Sequence, residues 1–193
     1  MRISKNPEIR RQEIIDTARE LYEVNGITKT SITQIADKIG VAKGLVYYYF
    51  SSKEQLTEAI IKQFLEQLDV VLEEIIRQND MTFHEKLAAI LFLYFKSFQN
   101  NPGFLNFPPV DPDLFSLLRK RASETALNHA TTLLHQGMEQ NLIRIEYPEY
   151  TLKVLIRGLG DLYLSGVSQV HVHASLIEQA LGLEKGSLKL KFD

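Results

Sequence analysis

Apolar side chains recur every three or four positions along almost the whole chain, and runs that alternate apolar with polar residues are scarce. A chain with that period buries one stripe of each helix and has no material for a sheet, so the predicted fold class is all-α. At 193 residues it suits one small module plus one larger one, and a single core or two linked cores can each be buried at this length. Cysteine is absent, which excludes disulfide scaffolds, thiolate zinc sites and cysteine nucleophiles. Met1 to Asn6 is polar and basic with no apolar run behind it, and no stretch approaches the roughly 20 apolar residues that cross a bilayer. The expectation is a soluble, cytoplasmic protein without a membrane partner.

Helix signals then divide the chain. Asn6 with Pro7 opens a first helix bearing Ile14, Ala18, Leu21 and Tyr22 on one face, and Gly26 ends it where a left-handed cap is wanted. Ser31 and Gln34 form a capping box for a short second helix that stops at Gly40, and a third follows Val41. Ser52 with Gln55, or Ser51 with Glu54, caps a long fourth helix with a stripe of Leu56, Ile60, Phe64, Leu68, Leu72 and Ile75 or Ile76. Thr82 and Glu85 cap a fifth that ends near Asn101, after which Pro102, Pro108, Pro109 and Pro112 punctuate an irregular connection. Helical pattern resumes from Asp113 to about Leu142, from Pro148 to about Gly166, and from His173 to Leu181. We divide this into a domain of residues 1–52 and a larger one of residues 53–193.

The net charge of −2 hides an asymmetry, because nucleic-acid affinity follows local charge. Up to Lys53 there are nine Lys and Arg against six Asp and Glu; beyond it there are thirteen against eighteen. A mildly basic head is thus joined to an acidic body. Within the head, two short helices joined at Gly40-Val41 have the form of a helix-turn-helix, whose second helix enters the major groove. In that helix Val41, Val46 and Phe50 repeat at core spacing and leave Lys43, Gly44, Tyr47 and Tyr48 on the other side. Lys43 reaches a guanine edge or a phosphate, Gly44 allows close backbone approach, and a tyrosine hydroxyl donates to a phosphate oxygen.

From about Arg11 to Leu56 the sequence resembles the TetR family of bacterial regulators. The resemblance is carried by Ala18, Leu21 and Gly26, by Thr30, Ser31, Ile35 and Ala36, and by Gly40-Val41, Gly44, Val46-Tyr47 and Tyr49-Phe50. Ser52-Lys53-Glu54 with Leu56 completes it. Ala42 stands where the family often has serine, and Tyr49 where histidine is common. The resemblance implies that Thr30, Ser31 and Thr33 meet phosphates at the start of the second helix, and that Lys43 and Tyr48 face bases. It further implies that Leu45 meets a thymine methyl and that Tyr47, Tyr49 and Lys53 fix the DNA backbone. As a whole it implies a homodimer on double-stranded operator DNA, released by a small-molecule effector, which the large side chains of the C-terminal domain lead us to expect is largely apolar.

In the larger domain Leu152, Leu155, Ile156, Leu159, Leu162 and Tyr163 form a stripe, with Lys153, Arg157 and Asp161 opposite. With Leu176, Ile177, Ala180 and Leu181 of the last helix, it supplies either a four-helix bundle across a two-fold axis or ordinary packing within one subunit. The fourth helix leads from the head into this domain and is the natural lever for release. A sensing pocket is sought among Phe64, Phe92, Tyr94, Phe95, Phe98, Phe104, Phe107, Phe115 and Tyr163, most of them ordinary core, with His129 and His135 as polar contacts. No cofactor or metal is called for. His171 and His173 diverge on a helix, and Gly158-Leu-Gly160 lacks the third glycine and the preceding strand of a dinucleotide loop. Arg119, Lys120 and Arg121 read as a solvated surface. A ligand-responsive repressor leads over a helical enzyme and over a DNA-compacting protein, and catalysis is not expected.

Overall fold

The computed structural model describes residues 6–100 and 112–189, with the side chains of residues 6–96 and 120–189. Among the described residues there are eight helices and no strand: α1 (Pro7–Asn25), α2 (Ile32–Ile39), α3 (Lys43–Tyr49), α4 (Lys53–Arg77), α5 (Phe83–Asn100), α6 (Pro112–Glu139), α7 (Pro148–Leu164) and α8 (Val170–Leu181). The chain is all-α, as its period predicts.

Local chemistry accounts for most helix ends. The Asn6 side chain accepts from the Glu8 N–H at 2.9 Å, and Pro7 spends its missing donor where none is needed. Ser31 and Gln34 close a reciprocal capping box, as do Thr82 and Glu85. At α4 it is Ser52 that accepts from the Gln55 N–H, while the Gln55 side chain reaches back to the N–H of Ser51. Gly40 takes φ 74 and ψ 38, the left-handed cap that turns α2 into α3. Gly26 also has positive φ, but its ψ of 154 is extended, so α1 ends by a straight departure rather than the predicted left-handed curl.

The chain forms two compact units, with one edge between Glu66 and Gln67 inside α4. In the first, α1, α2, α3 and the first turns of α4 bury Ile14, Ile15, Ala18, Tyr22, Ile35, Val46, Phe50, Leu56 and Ile60. The Thr57 hydroxyl donates to the Lys53 carbonyl, leaving its oxygen to accept from the Tyr22 hydroxyl at 3.2 Å. Burial pushes the Tyr22 phenol up to about 12. Across α1 and α4, Gln12 and Gln63 exchange two amide hydrogen bonds.

The second unit is built on Phe83, Leu91, Leu133, Leu134, Ile143, Leu152, Ala174, Ile177, Leu181 and Leu188. Among the described residues, three polar side chains are sealed into this unit. Lys86 donates to the Ile76 carbonyl at 2.7 Å, placing a cation at the C-terminal end of α4, where the helix dipole favours one. Glu178 accepts from the N–H groups of Gly186 and Leu188, both at 2.9 Å, and so ties down the segment after α8. His173 is the third. Gly137 is where α6 meets Phe83: a Cβ there would stand 2.6 Å from the Phe83 Cε2. No helix among the described residues is long and apolar enough to cross a membrane.

Candidate nucleic-acid interface

The helix pair presents its site through the phase of α3. Val46 is fully buried and Phe50 nearly so, with the Arg11 guanidinium 4.9 Å from the Phe50 ring centre. Those anchors leave Lys43, Gly44, Tyr47 and Tyr48 exposed together. Tyr48 stands at 80 % exposure, which an aromatic ring adopts at a cost unless that surface meets something. Its ring is held edge-to-face against Tyr49 at 5.3 Å, and the Lys43 ammonium lies 5.6 Å over the Tyr47 ring. A Cβ at Gly44 would meet nothing within 4 Å, so this side of α3 is open backbone. Leu45 and Tyr49 are half-buried at its edges, and Thr33 is exposed in the first turn of α2.

Three of the residues singled out by resemblance are placed otherwise. Thr30 does not face solvent: it is 1 % exposed and donates its hydroxyl to the carbonyls of Leu21 and Gly26. It clamps the end of α1 and is withdrawn as a phosphate contact. Ser31 is exposed, but its hydroxyl proton points to the Gln34 side chain within the capping box, so a phosphate would have to displace that bond. Lys53 is half-buried with its ammonium 2.5 Å from the Ile27 carbonyl, and burial lowers its pKa. It braces the loop before α2 and is not a free solvated lysine. Conversely, Lys29 is exposed just before α2, and sequence reasoning passed over it. The signal was present, since a lysine beside a helix N-terminus projects from the turn.

The stripe assigned to subunit pairing is turned inward. Leu152 and Ile177 lie in the core of their own unit, and Leu155 and Leu159 pack against it. They are withdrawn as contacts between copies; Ile156, Leu162, Leu176 and Ala180 are half-buried. The exposed face of α7 instead carries Tyr150, Val154 at 74 % and Leu164 among the charged Lys153, Arg157 and Asp161, with Tyr147 just before it. Of the pocket residues, Phe95 is fully buried and within 5.9 Å of the half-buried Tyr163. His129 is paired with Asp69 at 2.7 Å, and Phe64 belongs to the first unit. Phe104 and Phe107, and the side chains of Phe98 and Phe115, lie outside the described residues. His171 is exposed and His173 sealed, so they share no face.

Comparison with known proteins bears on the same stretch. Residues 14–60 match the family described as bacterial regulatory proteins, tetR family. The chain is 35% identical over 83 residues to the fatty acid metabolism regulator protein of Bacillus subtilis, covering 43% of this chain and 42% of that protein. It is 29% identical over 94 residues to the HTH-type transcriptional repressor KstR2 of Mycolicibacterium smegmatis, covering 49% and 45%. The matched stretch thus spans less than half the length of these relatives. In fold, it is similar to the Bacillus subtilis regulator FadR crystallised with stearoyl-CoA, with a TM-score of 0.64, 24% identity, and coverage of 88% of this chain and 97% of that one. The helix pair, its exposed α3 face and the match to the tetR family of bacterial regulatory proteins at residues 14–60 all fall in one unit, so it is the first unit that is similar to the N-terminal domain of that family.

Proposed function

We propose that this protein is a ligand-responsive transcriptional regulator, a repressor that leaves its operator when a small, largely apolar molecule binds the second unit. The observation that carries the reading is the face of α3, where Lys43, Tyr47 and Tyr48 are exposed side by side over the open backbone of Gly44. A cation, two hydroxyl donors and close backbone approach are what phosphate positioning and base-edge readout require. Thr33 adds a hydroxyl donor from α2. The family's regulators and the ligand-bound FadR support the sensing half of the reading. No catalytic role is assigned to the chain.

Reading two half-sites needs two recognition helices roughly 34–36 Å apart, so the acting form is a homodimer. We assign its pairing to the exposed α7 face of Tyr150, Val154 and Leu164, since the opposite stripe is occupied by its own core. The effector must favour the arrangement that does not bind DNA, because equal affinity for both shifts nothing. The deciding experiment is a band-shift titration of the purified chain on palindromes upstream of its own gene against random duplex of equal length. A regulator binds one palindrome at least roughly a thousandfold more tightly. Equal affinity for all duplexes points to a compacting protein, and no binding at low salt ends the reading.

A further inference from the structure

One nitrogen in the second unit has no partner. His173 is completely buried, and its Nε2 lies 2.7 Å from the Val167 carbonyl. A carbonyl oxygen only accepts, so the ring proton sits on Nε2 and Nδ1 is left as a lone-pair acceptor. That Nδ1 is buried and makes no hydrogen bond. An orphaned acceptor carries the full cost of its desolvation, and folded cores rarely keep one without a use.

The surroundings indicate what would meet this acceptor. The imidazole sits among Phe95 at 5.0 Å and Tyr94 and Tyr163 at 6.4 Å each. The Tyr94 hydroxyl is already donated to the Leu159 carbonyl, and burial holds that phenol in its neutral form. Among the described residues, a guest here finds ring faces and edges together with the His173 lone pair. A carboxylate would set its own negative oxygens against that lone pair. An apolar body ending in a neutral O–H satisfies both at once.

We propose that Nδ1 of His173 is the polar anchor of the effector site, and that the effector class is a neutral phenol or alcohol whose O–H donates to it. The proposal rests on the regulator reading above and names the chemistry of its sensing half. Tyr163 is the half-buried ring of the group.

The test uses the full chain, calorimetry, and two probes: para-butylphenol and its methyl ether, which keeps the shape and loses the donor. The unaltered protein should bind the phenol at least about tenfold more tightly, the worth of one buried hydrogen bond. His173→Gln keeps an N–H for the Val167 carbonyl and lacks the Nδ1 acceptor. It should melt near the unaltered protein and bind both probes alike. His173→Asn sets an amide oxygen close to the Nδ1 position and should recover part of the preference. Independently of any variant, nitrogen NMR of the unaltered protein should show the His173 Nδ1 resonance move upfield with the phenol and stay in place with the ether. Equal binding of both probes, a phenol preference that survives in His173→Gln, or an unmoved resonance overturns the proposal. So does no binding of either probe, the outcome if Nδ1 merely holds a buried water. Operator binding measured on the same samples without probe separates the two claims: loss of phenol preference with intact operator binding condemns the anchor alone.

Discussion

Lys43 is braced by the Tyr47 ring, so its ammonium is offered in a restricted arc rather than on a loose four-carbon stem. Lys43→Ala is therefore expected to cost about 1–3 kcal/mol at particular base pairs in operator titrations, and a uniform loss on all sequences reassigns it to phosphate. Tyr22 supports a pH prediction. Its folded pKa is raised to about 12, so its contribution is intact below the ordinary phenol value of 10.0 and is lost as pH rises from there through about 12. Thermal melts should show the steep alkaline loss of stability in that window flatten in Tyr22→Phe; an unchanged profile would place the ionisation elsewhere. At this scale the sequence was read well wherever a residue's role depends on its neighbours in the chain. Thr30 and Lys53 were misread because their partners are backbone carbonyls, of Leu21 in the last turns of α1 and of Gly26 and Ile27 just after it, which no side-chain pattern encodes.

Helices were legible for the same local reason: Ser31 with Gln34 and Thr82 with Glu85 are written three residues apart, and both boxes form. Ser31→Ala should destabilise the first unit by about 1 kcal/mol, seen as a lower midpoint in urea with an unchanged slope. No shift would mean that packing of Ile32 and Ile35 alone holds α2. Phase and starts were harder. The α7 stripe fits two partners equally, and only the core around Leu152 and Ile177 decides that it faces inward. α8 begins at Val170, three residues before its expected start, because Gln169 carries no side-chain capping bond for a pattern to find. Along α4, Ile61 and Leu65 are buried where Phe64 and Leu68 were expected, so the buried face drifts around the helix.

Across the whole chain, the charge asymmetry predicts how salt should act. Operator affinity should fall linearly in a double-logarithmic plot against salt, with each lost phosphate contact lowering the slope by roughly one unit. A flat plot would deny the basic head any electrostatic part. The proposed anchor at His173 was out of reach of the sequence, since Phe95, Tyr163 and His173 are brought together from three helices, α5, α7 and α8. Gly137, finally, limits how this sequence drifts through generations. Its hydrogen is the space that the Phe83 ring occupies, so the two positions are coupled although they are far apart in the chain. Gly137→Ala alone should cost about 1–3 kcal/mol by overpacking. Made together with Phe83→Leu it should cost less than the separate losses added, and strict additivity in a double-mutant cycle would refute the coupling. A lineage can then acquire a methyl at 137 readily only after the aromatic ring has gone, an ordered historical path set by a single interatomic distance.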